Sequence, residues 1–289
     1  MEFNKVIKPI LKYTSIALGA SALIAGGGFL IMFNNYCKQK DYTVASAKEI
    51  GLNRENVCLT GHRGFRAVAP ENSLPAYEEA GKAGFWGAEC DIYRTKDGVW
   101  VLHHDPITYR MMDKTKLIEH STYEELLKCN YDQGHNVDKY PNLKITRFED
   151  YLAVCEKYGM RAIIELKYNH TIEYYPEIIE IVKRYKVEPT FIAFDFEDCE
   201  KIRELSDYPV FYLVYDIKDE QIERAKTLEN CGISFDCNDK KNRENDCERI
   251  EAVNKAGITT AVWSAYDLET VKLMHDHGVK YITTDCITY

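Results

Sequence analysis

Glu89 and Asp91 stand two residues apart in an apolar, strand-like run, so side-chain alternation puts both carboxylates on one face and Cys90 on the other. Two ionised carboxylates side by side are costly unless a cation lies between them. An all-oxygen donor set suits a hard divalent ion such as Mg²⁺ or Ca²⁺. The same alternation puts Glu165 and Lys167 on one face of the run 160–168, which adds a third carboxylate and a fixed cation. A phosphodiester anion would meet the metal and Lys167 together, and Arg63 could make a forked contact to two phosphate oxygens. His62 and His104 are the groups able to move protons near neutral pH. The chemistry such a set supports is metal-assisted phosphodiester hydrolysis.

Each cluster also has a plainer reading. A strand carboxylate pair is commonly half of a surface ion-pair network, and a His pair before an Asp is commonly a cap or loop feature. Flanking residues favour the chemical reading. Asp97-Gly98 is a hairpin-turn signal after Asp91, and Val99–Leu102 returns toward His103-His104-Asp105. Pairing Thr95 with Val99 brings His104 beside Glu89 and Asp91, while His103 points away and reads as structural. Ser73 can cap a helix over 74–82, with Pro75 tolerated in its first turn. Trp263 closes an apolar run and could be barrel packing.

The elements that must position these residues follow a βα rhythm from Val57 onward, the pattern of a parallel sheet with helices outside it. Strand-like runs fall at 57–62, 87–92, 99–104, 160–167, 190–195, 209–215, 232–236, 258–263 and 281–285. Because 99–104 follows its predecessor through a tight turn, it reads as an antiparallel hairpin, which leaves eight strands for a TIM (β/α)₈ barrel. Every cluster above closes its run, at the strand ends where such barrels assemble active sites. An insertion over about 106–145 contains one helical segment, Thr122–Cys129, and Tyr131, His135 and Tyr140 make it a candidate head-group region. Thr146-Arg147-Phe148-Glu149 reads as a capping box opening a helix to Tyr158.

With 289 residues, 45% of them hydrophobic, the chain is long enough for one such barrel, read here as 57–289. The formal net charge of −9 argues against nucleic acid as a partner. Residues 13–37 carry no charged side chain, and 15–33 within them read as a single-pass transmembrane helix. Residues 1–37 are thus expected to be a tail and membrane anchor, 38–56 a linker, and the catalytic domain to lie outside the cell. A cleaved signal peptide is the other reading. Ten cysteines without C-x-x-C spacing point the opposite way, to a reducing compartment.

In order and spacing, Gly61-His62-Arg63-Gly64, Pro70-Glu71-Asn72-Ser73, Glu89-Cys90-Asp91, His104-Asp105 and Glu165-Leu166-Lys167 resemble the signatures of the glycerophosphodiester phosphodiesterase family, over about 57–285. The resemblance implies a barrel of the phospholipase C-like phosphodiesterase type and hydrolysis of glycerophosphodiesters to sn-glycerol 3-phosphate and an alcohol. It further implies Glu89, Asp91 and Glu165 as metal ligands, His62 and His104 as acid and base, and Arg63 and Lys167 on the phosphate. Glu71 and Asn72 would hold the loop or touch glycerol hydroxyls, and Trp263 would stand at the pocket mouth. Ser73 replaces the commoner Thr. Alternatives are a lysophospholipase D, an enzyme trimming glycerophosphate polymers of the cell envelope, and a non-catalytic membrane-tethered phosphodiester-binding protein. A phosphatidylinositol-type phospholipase C is disfavoured, since such enzymes can work without metal.

Overall fold

The computed structural model describes residues 41–167, 169–238 and 243–289. In chain order the strands of its main sheet are Cys58–Gly61 (β1), Gly87–Arg94 (β2), Trp100–Leu102 (β3), Thr146–Arg147 (β4), Arg161–Leu166 (β5), Pro189–Ala193 (β6), Val210–Val214 (β7), Cys231–Asp236 (β8), Thr260–Ala265 (β9) and Tyr281–Thr284 (β10). Eight of them, β1, β2 and β5 to β10, pair in parallel, and the ring closes where β1 meets both β10 and β2. β3 lies antiparallel on β2, with Ile92 opposite Leu102, and Thr95 N–H donates to Val99 O at 2.8 Å. The expected barrel and hairpin therefore both form.

The described α-helices are Leu74–Lys82 (α1), Tyr123–Leu126 (α2), Phe148–Tyr158 (α3), Tyr175–Val182 (α4), Phe196–Leu205 (α5), Asp219–Lys226 (α6), Arg243–Lys255 (α7) and Leu268–Asp276 (α8). Apart from α2, which lies in the insertion, they connect successive barrel strands. Outward strand residues such as Leu59, Ala88, Ile164 and Ile233 share one buried core with the apolar helix faces. Burying that continuous apolar surface is the main drive for closure. Between α1 and α3, Tyr77 and Tyr151 meet edge to face at 4.7 Å, and the Tyr151 hydroxyl donates to Ala88 O at 2.7 Å. The helices are thereby keyed to β2, the strand that carries Glu89 and Asp91.

Four expectations change. Of the residues 38–56 read as a linker, those from Asp41 onward belong to the barrel's compact unit. Ala45 and Ser46 pair with Ile287 and Thr288, and Ala47 and Leu52 are buried in the core. The capping box at 146–149 does not form: Arg147 is the N-cap without a side-chain cap bond, since Thr146 is drawn into a ladder opposite Leu102. The helix expected over Thr122–Cys129 is one turn, Tyr123–Leu126, opened by a capping box between Thr122 and Glu125. Finally, Tyr131 is buried in the insertion's own small core with Met111, Met112 and Leu126, so it is no head-group contact. The run expected to cross a membrane lies outside the described residues; among those, no helix is long and apolar enough to do so.

One buried charge lies on the barrel's flank. Asp198, in the first turn of α5, is fully buried and accepts a hydrogen bond from the Tyr175 hydroxyl of α4 at 2.8 Å. Burial outweighs that bond and pushes its carboxyl up to about 7. An acid whose folded-state pKa is raised costs nothing while protonated in both states, so the penalty is absent below pH 4 or so and complete above about 7. Asp198→Asn is therefore expected to stabilise the protein by roughly 1–3 kcal/mol at pH 8 and by much less at pH 5. Denaturant titrations at the two pH values check this, and equal shifts at both would refute it.

Candidate active site

Where β1 ends, the chain turns through His62-Arg63-Gly64 across the C-terminal mouth of the barrel. Arg63 and Gly64 both take left-handed backbone, at φ 56° and 81°. A Cβ on Gly64 would come within 2.7 Å of Ala76, so only glycine lets the loop lie on the start of α1. That start is fixed by Ser73, whose hydroxyl caps the helix as its sequence position suggests. The unusual backbone at Arg63 serves the site, because its N–H is aimed at Glu89 Oε2, 2.7 Å away.

Glu89, Asp91 and Glu165 converge in the mouth, with one carboxylate oxygen of each within 4.8 Å of the others, and all three are buried. β2 and β5 run in register there, Asp91 opposite Glu165. Lys167 stands between them, pairing with Asp91 Oδ1 at 2.7 Å and with Glu165 Oε1. Asn72, itself at φ 52°, donates to Asp91 Oδ2 at 2.6 Å and accepts from the Asp91 N–H and the Tyr77 hydroxyl. Every hydrogen-bonding group of Asn72 in this set points at Asp91 or α1, which places it behind the carboxylates and away from the open mouth.

Three carboxylates meet one ammonium, with the Arg63 guanidinium shared between Asp91 and Glu71. Burial, reinforced by Asp91 and Glu165, pushes Glu89 well above the ordinary carboxylate range, and burial raises Glu165 to about 7 with Lys167 only partly opposing. For Asp91 burial also works against ionisation, but Lys167, His104 and Arg63 hold it below that range. Glu89 Oε1 is buried and has no hydrogen-bond partner. An orphaned carboxylate oxygen beside two more carboxylates fits a hard divalent cation.

The two histidines flank this cluster. His62 Nδ1 lies 2.6 Å from Asp285 Oδ1 and 3.2 Å from Ser264 Oγ; His104 Nδ1 lies 2.9 Å from Asp105 Oδ1. With each Nδ1 held by a carboxylate, Nε2 is the ring nitrogen left for a substrate. Burial lowers both pKa values, that of His104 to about 3 with Arg63 and Lys167 adding to the effect, whereas Asp285 opposes the shift at His62. His103 is buried, with Nδ1 turned back to its own loop at Asp105.

Behind the histidines lies an arginine-rich knot. Glu71 receives Arg63 Nη1 at 2.8 Å, Arg66 Nη2 at 2.7 Å and Arg110 Nη2, and Arg110 Nε also holds Asp105 Oδ2 at 2.6 Å. Burial alone would raise Glu71, yet Arg110, Arg63 and Arg66 keep it well below the ordinary range. Arg63 is thus engaged with Glu71 and, at 3.5 Å, with Asp91 Oδ2, so less of its guanidinium is free for a forked phosphate contact than the sequence suggested. Sequence reasoning missed Arg66, Arg110, Ser264 and the role of Asp285. Asp285 carried a signal, since it closes a strand run in phase with Tyr281 and Thr283; Arg110, in a loop of the insertion, carried none. His135 packs on Tyr42 at 5.3 Å, and Tyr140 is half-buried. Trp263 of β9 meets Phe194 and Tyr215, which follow β6 and β7, edge to face, each at 5.7 Å, forming an aromatic rim that passes over the end of the intervening β8.

Known proteins are similar to this chain in sequence and fold. The chain is 34% identical to glycerophosphodiester phosphodiesterase 1 of Bos taurus over 115 residues, 39% of this chain and 35% of that protein. It is 36% identical to a glycerophosphodiester phosphodiesterase of Bacillus altitudinis over 127 residues, 43% of this chain and 50% of that one. The matched part thus spans half or less of these two relatives. Among solved structures, a glycerophosphodiester phosphodiesterase from Parabacteroides distasonis aligns with a TM-score of 0.65 and 27% identity, covering 80% of this chain and 93% of that one. A phosphodiesterase from Oleispira antarctica, solved with its product sn-glycerol-3-phosphate, shares the fold at a TM-score of 0.73 and 22% identity, covering 83% and 96%. The family model of the glycerophosphoryl diester phosphodiesterases matches residues 62–288, from the first histidine of the mouth to the last strand pair, and the chain belongs to that family.

Proposed function

We propose that this protein hydrolyses glycerophosphodiesters to sn-glycerol 3-phosphate and an alcohol. The observation that carries the reading is the pairing of each mouth histidine with its own carboxylate, His62 with Asp285 and His104 with Asp105, at the barrel end that also holds the three-carboxylate cluster. A module that only bound phosphodiesters would have no use for two oriented proton carriers.

Glu89, Asp91 and Glu165 would hold a divalent ion, Ca²⁺ or Mg²⁺, which when bound supplies Lewis-acid polarisation of the phosphoryl oxygens. Lys167 and Arg63 place positive charge beside the same carboxylates and stabilise charge developing on the phosphate. His104, kept neutral among these cations, takes the proton of the glycerol 2-hydroxyl as that oxygen attacks phosphorus. His62, supported by Asp285, carries the proton given to the departing alcohol. In the second half the roles exchange: His62 accepts a proton from water as it opens the cyclic phosphate, and His104 returns one to the 2-oxygen. Asp105 and Asp285 hold the rings in one tautomer through both halves. Glu71 positions Arg63 and Arg110, and Asn72 positions Asp91. On sequence alone, the charge-free run 13–37 favours membrane tethering, and the short basic N-tail before it favours a catalytic domain outside the cell.

Added Ca²⁺ or Mg²⁺ is expected to raise the thermal midpoint of the wild type, and Glu89→Gln, Asp91→Asn and Glu165→Gln are each expected to lose both that response and activity. Full hydrolysis of glycerophosphocholine in excess chelator would sink the metal assignment. His104→Ala is expected to lower kcat by at least about a hundredfold, while His103→Ala changes stability more than rate. The opposite ranking in steady-state kinetics would place the wrong histidine in the mouth. An analogue lacking the glycerol 2-hydroxyl should bind similarly yet turn over slower by about 10³-fold or more, because an oriented internal nucleophile is lost. Phosphorus NMR should also show a transient cyclic phosphate with the natural diester; equal rates and no cyclic species would mean that water attacks directly.

A further inference from the structure

The opposite end of the barrel is under-filled. Barrels of this kind are ordinarily packed by layers of bulky, branched inward side chains. Here Thr60, Thr190, Gly232, Ser234, Ala261 and Thr283 line a cavity of about 520 Å³. Gly232 shapes it by having no side chain: a Cβ there would meet the Phe211 ring at 2.3 Å, so the ring can lie over it only because position 232 is glycine. Phe211, Tyr281 and Trp86 form the rim, with centroids 6.1 Å apart for the first two and 5.3 Å for the last two.

Arg161 and Tyr281 are the first residues of β5 and β10, so this opening faces away from the histidines and carboxylates at the strand ends. Arg161 is held in place there. Its guanidinium lies over the Trp86 ring at 5.4 Å, its Nε donates to Thr190 Oγ1 at 3.0 Å, and Nη1 reaches Glu188 Oε2 at 3.1 Å. Glu188 is 80% exposed, so solvent screens that pair and an incoming anion can compete for the guanidinium. Lys226 adds a second cation to the lining.

A hollow of this size, with the hydroxyl side chains of Thr60, Thr190, Ser234 and Thr283 set among Ile163, Ile192 and the aromatic rim, takes up solvent or a solute, and its volume lies in the range of small-molecule sites. Hydroxyl side chains both donate and accept, which matches a polyol, and the fixed guanidinium matches a phosphate. We propose that the N-terminal end of the barrel binds a small phosphorylated polyol, a sugar phosphate, with its hydroxyls on Thr60, Ser234 and Thr283 and its phosphate on Arg161.

The test is calorimetric titration of the full chain with glucose 6-phosphate, with inorganic phosphate and glucose as separate arms. Saturable one-to-one binding of glucose 6-phosphate is expected, with either fragment weaker by about tenfold or more. Arg161→Gln, a rim change outside the apolar core, should weaken binding by about tenfold or more. Ala261→Leu, which fills the cavity, should abolish it, and Lys167→Ala at the other mouth should leave it unchanged. A retained thermal unfolding transition shows that Ala261→Leu is folded; if it is not, Arg161→Gln against Lys167→Ala decides. Absence of saturable binding overturns the proposal, as does glucose binding as tightly as its phosphate. Binding lost in Lys167→Ala but kept in Arg161→Gln places the ligand at the catalytic mouth and overturns it equally.

Discussion

Burying three carboxylates against one another at the mouth of the barrel is the constraint to which the surrounding residues answer. Each uncompensated buried charge costs several kcal/mol, so the chain must supply counter-charge and donors at that point. Lys167 stands between Asp91 and Glu165, the Arg63 N–H reaches Glu89, and the Asn72 amide reaches Asp91. The left-handed backbone at Arg63 and Asn72 is explained by the same demand, since each conformation aims a donor at a carboxylate. What remains without a partner is Glu89 Oε1, the oxygen that fits the cluster to a hard cation.

Around this centre the Glu71 knot joins parts of the chain distant in sequence. Arg63 and Arg66 come from the first loop and Arg110 from the insertion; Arg110 carries the connection on to Asp105 and hence to His104. The insertion therefore does more than cover the hairpin. It supplies the cation through which the orientation of His104 is tied to the loop bearing His62. Its small core around Met111, Met112 and Leu126 keeps that cation in place.

The two ends of the barrel are built on opposite terms. Toward the C-terminal ends the interior carries the buried carboxylates Glu89, Asp91 and Glu165 with Lys167 among them. Toward the N-terminal ends small and hydroxyl-bearing residues (Thr60, Thr190, Gly232, Ser234, Ala261, Thr283) stand among the inward side chains beside Ile163 and Ile192, and a cavity rimmed by Trp86, Phe211, Tyr281 and Arg161 remains. Bulk inside the barrel is thus exchanged for polarity, and stability rests the more on the apolar packing between strands and outer helices.

Much of this was legible in the residues themselves. Strand periodicity requires Glu89 and Asp91, and likewise Glu165 and Lys167, to share a face, and a tight Asp97-Gly98 turn requires the next run to be antiparallel. The barrel, the hairpin and the metal-ligand candidates follow from those local rules. Tertiary structure alone decided what depends on distant partners. Thr146 has the chemistry of a helix cap but joins a ladder with Leu102, because an available strand edge competes with the cap. Tyr131 resembles a surface aromatic but is buried in the insertion's core, its hydroxyl donating to Asn72 O at 3.3 Å. Asp285 and His62 are 223 residues apart in the chain, and only closure of the barrel between β1 and β10 brings them to 2.6 Å. Local periodicity tells a side chain which way to face; which charge it will meet there is settled when the barrel closes.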